Sequence, residues 1–182
     1  MTDNTRARTP LLALKAMVKE VQGITQDMRF CDPAGKRPVP LSVYEQALPI
    51  PKRKAPPPEE DVFQTIDYQE EIEEDAVFKC PWCVVKLENG SIPGINEMQE
   101  VTFAVCFGIF NESLDNNGHM EIMNLIQRVY ERFSVNPFLD GQYTCTGKFE
   151  WAVQDEDTYP YYFGAILTGF KFQGFRRENK YL

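Results

Sequence analysis

Residues 100–110 read EVTFAVCFGIF, with Val101, Phe103, Val105, Phe107 and Ile109 at alternate positions. A period of two sends successive side chains to opposite faces, so a strand with one apolar face is predicted here. The intervening Thr102, Ala104, Cys106 and Gly108 are small, which leaves room on the other face for a helix or a second backbone to approach closely. The period then changes. In LDNNGHMEIMNLIQRVYERF (114–133), Ile122, Leu125, Ile126, Val129, Tyr130 and Phe133 recur at helical spacing, with Glu121, Asn124, Gln127, Arg128, Glu131 and Arg132 on the opposite side. This pattern predicts an amphipathic helix, stopped by Asn136-Pro137.

A shorter helix is predicted from Thr9 to about Val21, with Thr9 as its cap, Pro10 at its first position, and Leu11, Leu14, Met17, Val18 and Val21 on one face. Residues 24–48 read as extended chain interrupted by DPAGKRP. Within VPLSVYEQ, Val39, Leu41 and Val43 alternate, and Pro40 places that strand on a sheet edge or limits its pairing. FKCPWCVVKLENG (78–90) is predicted as a strand ending in a turn at Asn89-Gly90. YTCTGKFEWAV (143–153) and YYFGAILTGFKF (161–172) are two more, joined by the turn-rich QDEDTYP. Strands come in adjacent pairs rather than in βαβ alternation. The expected fold class is therefore α+β, a mixed, mostly antiparallel sheet of about four to five strands with helices packed on one face. Residues 1–182 are expected to form a single domain, with 49–76 an extended, Pro-rich and acidic loop or arm inside it.

The stretch LPIPKRKAPPPEEDVFQTIDYQEEIEED (48–75) has too few apolar residues to bury much surface, and its prolines favour extended conformation. Charge switches sign across it. Residues 1–54 carry ten Lys/Arg against five Asp/Glu, 55–75 none against nine, and 76–182 nine against thirteen, for a net −8. A solvated loop and an arm ordered against a neighbouring subunit both fit this pattern. The presumed core lacks a basic footprint, so nucleic-acid readout is not expected. No apolar run approaches the ~18 residues of a membrane span, and MTDNTRARTP lacks the apolar centre of a signal peptide. Five cysteines without a regular framework fit reduced thiols, so the expected setting is the cytoplasm.

Cys80 and Cys83, in CPWC, have the spacing of a thiol oxidoreductase site or of half a zinc clamp. Redox thiols sit at a helix N-terminus, where backbone N–H groups and the helix dipole lower the thiol pKa. Here Val84, Val85, Lys86 and Leu87 follow instead, a strand-like run in which positions three apart face opposite ways. The other zinc candidates, Cys31, Cys106, Cys145 and His119, are isolated along the chain. His119 follows DNNG at the mouth of the second helix, with no nucleophile elbow beside it, and reads as capping or surface packing. Asp155, Glu156 and Asp157 lack the glycine and terminal glutamate of a calcium loop and read as a solvated turn or a charged contact with a partner. No catalytic residue, cofactor or metal ligand is expected.

Aromatic density has no such chemical explanation. Tyr159, Tyr161, Tyr162, Phe163, Phe170, Phe172 and Phe175 crowd the last strand on both faces, more than one core face requires. Because Tyr and Phe are favoured at protein interfaces, Tyr159, Tyr161, Tyr162 and Phe175 become candidate interface residues. In the basic tail GFRRENKYL, Arg176 and Arg177 are suited to meet Glu70, Glu71, Glu73 and Glu74 of a neighbouring subunit.

The succession FKCPWCVVKLENG, VTFAVCFGIF, NNGHMEIMNLIQRVYERF and LDGQYTCTGKFEWAVQDEDTYPYYFGAI, within residues 77–172, resembles the tail terminator (tail-completion) proteins of long-tailed bacteriophages and prophages. Its most specific pieces are Gly118-His119 leading into the helix with Asn124 to Ile126, and DTYPYYFGAI at 157–166. The resemblance implies a small α+β subunit of a hexameric ring on the head-proximal end of the tail tube. Such a ring ends tube polymerisation and offers a surface to the neck or head connector, without catalysis. It also implies assembly in the bacterial cytoplasm, a final place in the virion, and three partners: further copies of the chain, the tail-tube protein and the connector. The long stretch at 48–75 departs from the family pattern, and contact with a tail sheath protein is one explanation. The alternatives are another phage neck or head-completion protein and a thiol-redox protein using Cys80 and Cys83.

Overall fold

The strand expected from EVTFAVCFGIF forms as β5 (Met98–Phe110), and Val101, Phe103, Val105, Phe107 and Ile109 are all 0% exposed. The structure is a computed structural model that describes residues 8–34, 37–50, 80–94 and 96–174. Along its whole length β5 pairs antiparallel with β8 (Tyr161–Gln173), from Met98↔Gln173 to Phe110↔Tyr161. Its other edge takes β4 (Trp82–Ser91), from Trp82↔Gly108 to Ser91↔Glu100. Beyond β8 lies β7 (Tyr143–Val153), antiparallel, and beyond β4 lies β3 (Ser42–Glu45), parallel. Three two-residue strands complete the sheet: β1 (Phe30–Cys31) on Phe110, β2 (Pro38–Val39) on β1, and β6 (Phe138–Leu139) on the start of β7.

The α+β class and the mostly antiparallel pairing agree with the sequence, whereas the sheet has eight strands rather than four to five. The surplus is made of short pieces. VPLSVYEQ divides into β2 and β3 around Pro40-Leu41, because proline has no N–H to give a ladder. β1 and β6 are two residues long, too short to carry any alternation. Asn89-Gly90 does not end its strand: the register slips between Leu87 and Asn89, and β4 continues to Ser91. The strand also begins at Trp82, later than the expected Phe78.

Helix α1 (Pro10–Thr25) is capped by Thr9, whose Oγ1 accepts from the Leu12 N–H at 3.2 Å, and runs four residues beyond the expected Val21. Its buried face is Ala13, Leu14, Met17, Val21 and Thr25. Leu11, expected on that face, is 56% exposed, and Val18 is only partly buried. The face is centred on Met17 and Val21, with Ala13 along one margin and Leu14 and Thr25 along the other. Helix α2 (Gly118–Val135) buries Ile122, Leu125, Ile126, Val129 and Phe133 as its periodicity requires, and Tyr130 lies at the rim, edge-on to Phe149 at 5.2 Å. Both helices share one core cluster with the odd-numbered face of β5, so they cover the same side of the sheet. Arg132 ties this layer together. It pairs with Glu20 of α1 and donates to the Asn136 carbonyl at 2.7 Å and the Phe138 carbonyl at 3.2 Å. No helix among the described residues is long and apolar enough to cross a membrane.

The chain divides into two compact units, one of Met1–Leu48 with Cys80–Leu182 and the other Pro49–Lys79. The arm expected at 49–76 lies outside the described residues, except for Pro49 and Ile50.

The two faces of β5 differ in what they bury. Phe103→Ala should lower unfolding free energy in urea by about 3–5 kcal/mol, because it empties a fully enclosed site. Cys106→Ala, on the opposite face and half-buried, should cost about 1 kcal/mol or less. Equal losses would contradict the one-sided core.

Candidate interaction surface

Strand register decides which side chains share the face away from the helices. Trp82, Val84 and Lys86 of β4 stand opposite Gly108, Cys106 and Ala104 of β5, which in turn oppose Phe163, Ala165 and Leu167 of β8. Tyr44 of β3 joins beside Val84, and Glu150 and Ala152 of β7 join at the far side. The small residues noted in β5 are what let this face take rings. The Trp82 indole lies over Gly108, where a Cβ would fall inside the ring, and meets Phe163 at 6.0 Å between centroids. Phe110 and Tyr161 pair at 5.3 Å. The space in β5 that the sequence left open to a helix or backbone is therefore occupied by neighbouring aromatic side chains. Trp82, Cys106, Tyr161, Phe163, Ala165 and Leu167 are half-buried, and the Lys171–Glu100 pair at 3.6 Å marks a charged end to the surface.

CPWC sits at the margin of this face. Cys83 is 0% exposed within the core on the helix side, whereas Cys80 precedes the strand, joined to Pro81 by a cis peptide, and is 4% exposed. Both thiols are free. Burial pushes the Cys80 thiol up to about 11, offset only in part by the Trp82 indole beside it. Cys83 is raised as well, by burial and then by Cys106. Both shifts run opposite to the depressed pKa of a reactive thiolate. The indole N–H of Trp82 is buried without a hydrogen-bond partner of normal geometry among the described residues, since the thiol beside it is a weak acceptor.

The candidate tyrosines divide between the two faces. Tyr161 lies on the aromatic face. Tyr162, on the helix side, packs over Gly118, where a Cβ would enter its ring, and its hydroxyl meets the Asn116 Oδ1. Tyr159 is 45% exposed, and its hydroxyl donates to the Glu112 carbonyl at 3.0 Å. Tyr159 of the β7–β8 connection and Tyr162 at the start of β8 thus hold the 111–117 loop, an internal role that sequence spacing could not reveal across more than forty residues. Burial raises the Tyr162 phenol, and Tyr159 and Asp157 add to the shift.

A cavity of about 310 Å³ opens between these loops, lined by His119, Asn116, Asp155, Glu156 and Asp157 among others. His119 is exposed at the start of α2, its Nδ1 3.3 Å from the Asn116 carbonyl; the capping expected there does not form, because that contact satisfies no first-turn N–H and the N-cap residue Asn117 makes no side-chain cap hydrogen bond. No group of three His, Cys, Asp or Glu among the described residues is placed to hold a metal ion. Phe175, Arg176, Arg177, Glu70, Glu71, Glu73 and Glu74 lie outside the described residues. No protein-family model matches the chain, and comparison with curated proteins finds no match.

Because the folded state holds the Cys80 proton to higher pH than the unfolded chain does, its contribution to stability is full below pH 9.0 and is lost as pH rises towards about 11. Unfolding free energy measured in urea across that window should fall more steeply for the wild type than for Cys80→Ala. Parallel curves would remove Cys80 from the account, since Cys83, Tyr143 and Tyr162, also raised, remain in both proteins.

Proposed function

We propose that the chain is a structural subunit of tail-terminator type. In this reading, copies of it close into a ring, expected to be hexameric, at the head-proximal end of a phage tail tube, end tube growth and present a surface to the neck or head connector. The observation that carries the reading is the division of labour in the sheet. One face is buried under two helices, and the other is an apolar, aromatic surface with no described helix against it. Surfaces rich in Trp, Tyr and Phe suit protein contacts, and heterologous contacts of this kind close into rings when the rotation between neighbours permits. The resemblance of residues 77–172 to tail terminators gives that assembly its place, and the aromatic face gives it a means of attachment. The arm at 49–76 is assigned to contacts with neighbouring subunits or a tail sheath.

The test is to polymerise the tail-tube protein of the same phage or prophage with and without this chain and to image the products. Shortened tubes carrying a ring at one end are expected. Tubes of unchanged length with bare ends would refute the terminator role, and rings bound to isolated connectors but never to tubes would reassign the chain to the neck.

A further inference from the structure

We infer that subunits join by continuing the sheet: the outer edge of β7 in one copy pairs antiparallel with the outer edge of β3 in the next. The inference rests on the ring reading and specifies its contact.

Beyond Thr144, β7 has no strand on its outer edge among the described residues. The Gln154 N–H donates to the Phe163 carbonyl at 3.0 Å, which marks that pair as hydrogen-bonded. Alternation along an antiparallel ladder then turns Phe149, Trp151 and Val153 outward. At the opposite edge, the Ser42 N–H donates to the Pro81 carbonyl at 3.2 Å and the Gln46 N–H to the Val85 carbonyl at 2.9 Å, so Val43 and Glu45 present their backbone outward. Open edges are usually guarded by proline, lysine or a bulge. β2 has Pro38 beside Pro40, and β7 has a register shift between Cys145 and Phe149. Residues 149–153 have no such guard, and Trp151 there is 59% exposed.

The two edges match in direction. β3 runs parallel to β4, and three antiparallel steps, β4 to β5, β5 to β8 and β8 to β7, make β7 antiparallel to β3. A copy added by rotation about an axis along the strands therefore brings β3 against β7 with antiparallel polarity. Side chains match as well. Trp151, opposite Ile166, and Val43, opposite Cys83, both lie on the helix side, so the register that pairs them continues the apolar layer. The same register sets the Glu150 carboxylate, an acceptor, against the Tyr44 hydroxyl, a donor, on the other face. It also places Ala152 by Ser42 and Phe149 by Glu45. Because the two edges differ, the contact is heterologous, as a ring requires.

Cysteine pairs test this directly. Paired residues in such a ladder have Cα atoms about 5.5 Å apart, within disulfide reach. Full-length protein carrying Trp151→Cys and Val43→Cys together should, on mild oxidation, give a ladder of cross-linked oligomers several-fold above the wild type and either single variant. Rings without that ladder would overturn the edge contact and leave the proposed function standing. Dimers from the Trp151→Cys single variant alone would indicate a self-facing β7 contact and likewise overturn it. A wild-type chain that stays monomeric even with tail tubes present would overturn both.

Discussion

Everything else in the structure depends on the double pairing of β5. A central strand with neighbours on both edges has no freedom of register, because slipping by one residue would turn Val101, Phe103, Val105, Phe107 and Ile109 out of the core. On that face the large side chains meet two helices. On the other, Ala104, Cys106 and Gly108 stay small, which gives Trp82 a floor and lets Phe163 reach it from β8. One alternating sequence thus specifies both a closed core and an aromatic surface. The Glu20–Arg132 pair and the Tyr162–Gly118 contact then fix how the helices and the 111–117 loop sit on that sheet.

The parts legible in the sequence were those with a period. Alternation over eleven residues located β5, and the helical stripe from Ile122 to Phe133 gave α2 nearly residue by residue. Thr9 and Pro10 announced the start of α1 through cap chemistry that needs no tertiary information. What escaped detection was either too short for a period, as in β1 and β6, or set by partners far along the chain. Leu11 looks like a core residue by spacing, yet the buried face is rotated towards Ala13 and leaves Leu11 56% exposed. Asn89-Gly90 has the chemistry of a tight turn, but the slip beside it carries β4 onward to Ser91.

The candidate surface was legible in composition and less so in placement. The crowding of aromatics in residues 159–172 signalled more than a core, and register was needed to show that Tyr161 and Phe163 share the face away from the helices while Tyr162, Phe170 and Phe172 turn to the helices. Trp82 stands inside CPWC, a motif whose strand-like sequel, Val84 to Leu87, already argues against redox chemistry. Its pairing opposite Gly108 makes it the centre of the aromatic surface instead, with Cys83 on the other side of the strand and Cys80 buried just ahead of it.

An apolar surface and a strand edge with no partner among the described residues, on a chain of 21.0 kDa, both suit a protein contact, and in the proposed ring the partner is another copy of the same chain. The native mass of the purified wild-type protein, measured across a dilution series, tests this most directly. A single closed species at about six times the subunit mass, with no open ladder of intermediates, is the result expected of a heterologous ring. A species that remains at the mass of one subunit at every concentration, with tail tubes present as well as absent, would contradict it.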